Sequence, residues 1–180
     1  MKKLILIFVA LLCIFPNIVV AEEGYKITVS DYTRGSSKVA EGDMVTNIDQ
    51  NKTYRGNVSF IVSFDKACLV ATRVGDKYMR EYGSEVSDGY LFTIDVQADT
   101  EIIIVQKGDV NLDGRIRSND AAAVTRIVTG IMPSDGLKDL IADVDTNGKI
   151  RSNDAARITR VVTGIETLNF DIDEWTEPQY

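Results

Sequence analysis

DVNLDGRIRSNDAAAVTRIVTG, residues 109–130, returns as DVDTNGKIRSNDAARITRVVTG at residues 143–164. Displacing one copy by 34 positions leaves 15 of the 22 residues identical. A unit repeated at a fixed period is one supersecondary element used twice, each copy covering the apolar face of the other. The function of this part of the chain is therefore sought in what the copies share.

Both copies open with oxygen-bearing side chains at every second position and then a glycine. These are Asp109, Asn111, Asp113 and Gly114, and again Asp143, Asp145, Asn147 and Gly148. An aspartate closes each at position 12, Asp120 and Asp154. This is the spacing of an EF-hand-type calcium loop. Calcium takes ~6–8 oxygens at ~2.3–2.6 Å, drawn from positions 1, 3, 5, 7, 9 and 12. Position 7 gives a backbone carbonyl, so Arg115 and Lys149 serve there. Position 9 acts through water, which tolerates Arg117 and Arg151. Ile116 and Ile150 at position 8 are expected to pin the loops together. With three carboxylates per loop, the sequence predicts two bound calcium ions.

Aspartate at position 12 is one methylene shorter than the usual glutamate, so the following helix must sit closer to the ion. The β-like run Glu101–Gln106, not an amphipathic helix, precedes the first loop. The reading is loop-then-helix, twice. Ala121, Val124 and Val128, with Ala155, Ile158 and Val162, recur at helical spacing and are assigned to the core. Leu137–Ala142 is predicted as a short connecting helix with Leu137, Leu140 and Ile141 as its apolar face.

Through GDVNLDGRIRSNDAAAVTR and ADVDTNGKIRSNDAARITR, residues 108–170 resemble a type I dockerin. That family is the calcium-dependent module that docks onto cohesin domains of cellulosome scaffoldins. The resemblance implies a small all-α fold of two calcium loop–helix motifs related by a pseudo-twofold axis. It implies a cohesin partner, met by positions 10, 11, 17, 18 and 22 of each copy. Here those are Ser118, Asn119, Thr125, Arg126 and Gly130, and Ser152, Asn153, Thr159, Arg160 and Gly164. All five pairs are identical, so either copy is expected to face the partner. Asn at position 11 and Gly at position 22 depart from the commoner choices and leave the cohesin class open. Local structure offers an alternative for some of these residues. Ser118, Asn119 and Asp120 suit a helix N-terminus, and Gly130 and Gly164 suit helix C-caps.

At the start of the chain, Met1-Lys2-Lys3, the apolar run Leu4–Val20 and the small exit at Ala21 read as a secretory signal peptide over residues 1–21. A secreted, extracellular protein follows, attached to a cell-surface complex through its scaffoldin. Cys13 follows Leu12, a poor lipoprotein site. The net charge of −7 becomes more negative once Lys2 and Lys3 are removed. An acidic secreted chain argues against nucleic acid and anionic membranes as partners. Cys68 is then left without a disulfide partner and is expected to be a buried thiol, and the chain is expected to be monomeric when not docked.

Residues 22–106 alternate with period two. Val58, Phe60, Val62 and Phe64 form one such series, and Tyr90, Phe92, Ile94 and Val96 another. Tyr25–Val29, Cys68–Arg73 and Glu101–Gln106 are further β-branched runs. Gly75-Asp76 is placed in a hairpin turn. The expected fold is a small all-β, immunoglobulin-like sandwich, followed by a near-absent linker at Gln106-Lys107-Gly108 and a nearly fixed relation to the second module. Residues 171–180 form an acidic tail carrying Trp175. A polysaccharide ligand for the β-module would need an aromatic platform. Tyr32, Tyr54, Tyr78 and Tyr82 are the candidates, although scattered tyrosines are usually core or rim residues. With no histidine in the chain and the densest carboxylates assigned to metal, the sequence reads as non-catalytic.

Overall fold

The computed structural model describes residues 24–33, 37–39, 48–64, 67–87 and 89–169. The predicted signal peptide and acidic tail lie outside them. An N-terminal β-rich region is followed by a C-terminal region of three helices. The strands are β1 (Tyr25–Asp31), β2 (Ser37–Val39), β3 (Thr53–Tyr54), β4 (Gly56–Phe64), β5 (Cys68–Val74), β6 (Lys77–Glu81), β7 (Ser84–Val86), β8 (Gly89–Val96) and β9 (Thr100–Gln106). The helices are α1 (Ser118–Val128), α2 (Gly136–Ala142) and α3 (Ser152–Val162).

The strands form two sheets, ordered β3-β1-β9-β5-β6 and β2-β4-β8-β7. β1 runs parallel to β9, whereas the other pairs are antiparallel. The alternation anticipated in β4 and β8 turns Val58, Phe60, Val62, Phe92, Ile94 and Val96 inward. They meet Ile27, Cys68, Val70, Ile102 and Ile104 of the five-stranded sheet in one core. Phe60 and Phe92 are register partners with rings stacked at 5.5 Å. Val74 pairs with Lys77 across Gly75-Asp76, which forms the expected tight hairpin.

At β9 and β5 the five-stranded sheet is covered on both faces. In β9, Ile102 and Ile104 enter the inter-sheet core, while Ile103 and Val105 point to the opposite side. In β5, Cys68 and Val70 face inward and Leu69 and Ala71 outward. Those four outward residues join Val110, Ala121, Val124, Leu137, Ile141, Ala142, Val144, Ala155 and Ile158 in a second core. The helical region thus uses half of a sheet face as one of its own walls. A contiguous apolar run such as Ile102-Ile103-Ile104-Val105 is the pattern of a strand buried on both faces.

The junction is held by the backbone. The N–H of Lys107 donates to Ala67, that of Gly108 to Ile141 and that of Asp109 to Gln106. Arg80 of β6 reaches across and donates from Nη2 to the carbonyls of Leu140 and Asp143, the latter at 3.2 Å. α2 ends at Ala142, so the second loop has a short helix directly before it and the first loop has a strand. Leu137 and Ile141 of α2 are buried and Leu140 half-buried.

Two core assignments are corrected. Val128 and Val162 stand 39% and 41% exposed. They occupy the last helical position of α1 and α3, where the packed side has moved to the half-buried Ile127 and Val161.

Candidate functional site

Each repeat folds as a tight loop entering a helix, with its aspartates turned inward. Asp109, Asp120 and Asp154 are fully buried, and Asp143 is 7% exposed. In the first loop the carboxylate of Asp109 accepts the N–H of Asp113 at 3.1 Å and of Gly114 at 2.6 Å. In the second, Asp143 accepts from Asn147 at 3.1 Å and Gly148 at 2.9 Å. Asp120 accepts from Arg117 at 2.9 Å and from Asn111 at 3.2 Å. Asp154 accepts from Arg151 at 2.8 Å and Val144 at 3.2 Å. The closing aspartate of each loop therefore also caps the first turn of its helix, satisfying N–H groups left open there.

The backbone repeats as faithfully as the side chains. Gly114 and Gly148 take φ of 77° and 76°, the left-handed turn required at position 6. Leu112 and Thr146 at position 4 also take positive φ, 59° and 57°. Non-glycine residues rarely adopt that region, and its recurrence at equivalent positions marks a shared loop geometry that the side chains alone did not reveal.

Three observations bear on whether the loops fit a cation. Asp143, Asp145 and Asp154 each place a carboxylate oxygen within 4.8 Å of the others. In the first loop, one oxygen of Asp113 is buried with no hydrogen-bond partner. An unpartnered buried acceptor is costly unless something positive meets it. Burial pushes the Asp109, Asp120 and Asp143 carboxyls above the ordinary aspartate range, against the pull of their backbone hydrogen bonds. Arg80 opposes the rise at Asp143. Such carboxylates are stabilised in their charged form by a bound cation. Among the described residues, the second-loop triad is the one gathered group of this kind. In the first loop Asp113 instead faces Arg117 at 3.9 Å and receives Asn111 Nδ2 at 3.3 Å. Arg115 and Lys149 lie exposed on the loops, and Ile116 and Ile150 are half-buried against the second core.

Ser118, Asn119, Thr125, Arg126 and Gly130, like Ser152, Asn153, Thr159, Arg160 and Gly164, are all exposed. Gly130 and Gly164 are C-cap glycines with φ of 71° and 73°. Their N–H groups bond to Ile127 and Val161, and the next residues, Ile131 and Ile165, bond to Arg126 and Arg160. This double bond pattern is a Schellman motif, so backbone conformation accounts for these glycines. Ile131 and Ile165 stand 76% and 74% exposed. They occupy equivalent positions and escaped the sequence reading because neither lies within a helical period. Tyr54 and Tyr78 do not gather: they sit on strands at opposite edges of the five-stranded sheet. Tyr54 packs on the inter-sheet core and Tyr78 on the second core.

Fold and loops together define a duplicated loop–helix module with buried aspartates and an exposed, internally repeated helix surface. Residues 107–163 match the family described as the Dockerin type I domain. Those residues are thus a type I dockerin domain, which follows an N-terminal β-module. Among solved structures, it is similar to a chain from a complex of the third cohesin ScaC with the ScaB dockerin of Acetivibrio cellulolyticus, mutated in the N-terminal helix. That similarity has 36% identity, covers 36% of this chain and 90% of the other, and has a TM-score of 0.34. The corresponding complex mutated in the C-terminal helix gives 38% identity, 34% and 88% coverage, and a TM-score of 0.33. No curated protein matches the chain. A dockerin domain is a docking module, not a catalytic one, and no helix among the described residues is long and apolar enough to cross a membrane.

Proposed function

We propose that the protein is a secreted, non-catalytic component that docks through its dockerin domain onto a scaffoldin cohesin, carrying its β-module into a polysaccharide-degrading complex. The observation that carries this reading is the second, exposed copy of every contact-position residue on α1 and α3, within a domain of the dockerin family. A solvent-facing surface has no packing reason to keep Ser-Asn and Thr-Arg unchanged while neighbours such as Ala123/Arg157 and Val124/Ile158 differ.

Two calcium ions are assigned to the loops. Asp109, Asn111, Asp113, the carbonyl of Arg115 and Asp120 would hold one. Asp143, Asp145, Asn147, the carbonyl of Lys149 and Asp154 would hold the other. The ions would supply the positive charge that the buried aspartates need and fix the angle at which each helix leaves its loop. The buried, unpartnered Asp113 oxygen and the Asp143–Asp145–Asp154 triad support this assignment. The domain limits follow as signal peptide 1–21, immunoglobulin-like β-module 22–106, dockerin 108–170 and acidic tail 171–180. The β-module is read as structural cargo joined to its dockerin by a shared core.

The test is capture of residues 22–180 by a panel of immobilised type I cohesins, with calcium and with chelator. Retention in calcium and loss in chelator is the expected result. Retention by no cohesin, with calcium binding established separately, would overturn the docking role.

A further inference from the structure

The two copies share every contact-position residue, but those residues are not equally available. On α3, Arg160 donates its Nε–H to Glu166 at 2.7 Å, and Arg157 donates its own to the other oxygen of the same carboxylate, also at 2.7 Å. The equivalents in the first copy are Arg126, Met132 and Ala123. Neither the carboxylate nor the second guanidinium exists there, and among the described residues the Arg126 side chain has no hydrogen-bond or ion-pair partner. A second pair shows the same imbalance. Asn153 donates from Nδ2 to Asp145 at 2.5 Å, whereas position 3 of the first loop is the neutral Asn111 and Asn119 has no such bond.

The clamp is partly shielded, with Glu166 only 23% exposed and Arg157 29%. A carboxylate that accepts two charge-assisted bonds from two arginines fixes both side chains in place. Arginine binds a partner carboxylate most strongly side-on, through Nε–H and one Nη–H together. In Arg160 the Nε–H is already given to Glu166, and in Arg126 it is not.

We propose that the two pseudo-symmetric faces are unequal, with α1 presenting the primary docking surface through Arg126 and Asn119, and Glu166 acting as the residue that holds the α3 face in reserve. This rests on the cohesin-docking reading. It departs from the simpler expectation of interchangeable copies, because the asymmetry lies two residues beyond the repeated stretch, at Glu166, and in the exchange of Ala123 for Arg157. The partner chemistry it requires is a carboxylate on the cohesin surface facing the position-18 arginine.

The test is calorimetric titration of calcium-loaded residues 22–180 with a type I cohesin retained in the panel. Arg126→Ala is expected to weaken binding about three- to tenfold, and Arg160→Ala by no more than about twofold, the range of a partly screened charge pair. Adding Glu166→Gln to Arg126→Ala should recover affinity, since it removes the charge and one of the two acceptor oxygens that hold the arginines. Far-UV circular dichroism checks that each variant keeps its helices. Equal losses for the two arginine variants, or no recovery with Glu166→Gln in a folded protein, would overturn the inequality and leave docking intact. Wild-type protein retained by no cohesin in calcium would overturn both readings.

Discussion

Truncating Ile103 to alanine tests whether the β-module is part of the dockerin's core. Ile103 is 2% exposed and lies in the cluster that contains Val124, Ile141 and Ile158 of the three helices. The sheet backbone on one side and the helices on the other leave little room for collapse into the space created. A buried isoleucine-to-alanine change costs about 2–5 kcal/mol, and a site walled by a sheet belongs near the middle, about 3 kcal/mol. For a chain of this size that corresponds to a fall in melting temperature of roughly 6–12 °C. The assay is thermal unfolding followed at the helical circular dichroism band. Thr28→Ala is the control, on the same sheet and exposed to solvent; such a surface change should stay within about 0.5 kcal/mol. An Ile103→Ala protein whose helical transition matches wild type would refute the shared core, because helices resting on their own packing alone would not sense β9.

Three further outcomes follow. Asp113→Ala should weaken the first calcium site, Asp143→Ala the second, and the two together should lower the helical melting temperature in calcium to that of the wild type in chelator; a double variant that melts like calcium-loaded wild type would break the link between metal and stability. Arg80→Ala removes two bonds to the Leu140 and Asp143 carbonyls and should destabilise the module by about 1–3 kcal/mol, with looser calcium binding at the second loop, both measurable in one melt series with and without metal. In chelator, Asp109, Asp120 and Asp143 have raised folded-state pKa values. The folded state then holds protons that the unfolded chain releases, so this contribution is fully present below the ordinary aspartate value of about 3.9 and is lost as pH rises through the folded values. Melting temperatures in chelator should therefore fall from about pH 4 to about pH 7, whereas those in calcium should rise; a rise in both would contradict it.

The loop geometry was legible because an EF-hand-type spacing places aspartates and a left-handed glycine at fixed positions, and that pattern is written in single residues. β4 and β8 were legible because their apolar residues alternate onto one buried face. β2, β3 and β7 span two or three residues each, too short to carry a period, and their pairing is set by the strands beside them. Val128 and Val162 were misplaced because periodicity cannot tell where a helix outruns its cover. The run Ile102–Val105 announces burial on both faces, yet nothing local says that the second cover comes from helices later in the same chain. The clamp on Arg160 was hidden for the same reason: Glu166 lies outside the repeat and meets Arg157 and Arg160 only when the chain turns back at Gly164.

The central claim is that two metal loops assemble the docking surface, and calorimetric titration of chelator-stripped residues 22–180 with calcium tests it most directly. The account predicts two ions per chain, protons released from the buried aspartates on binding, and loss of one ion each with Asp113→Ala and Asp143→Ala. A single ion, or two that both survive these substitutions, would contradict it.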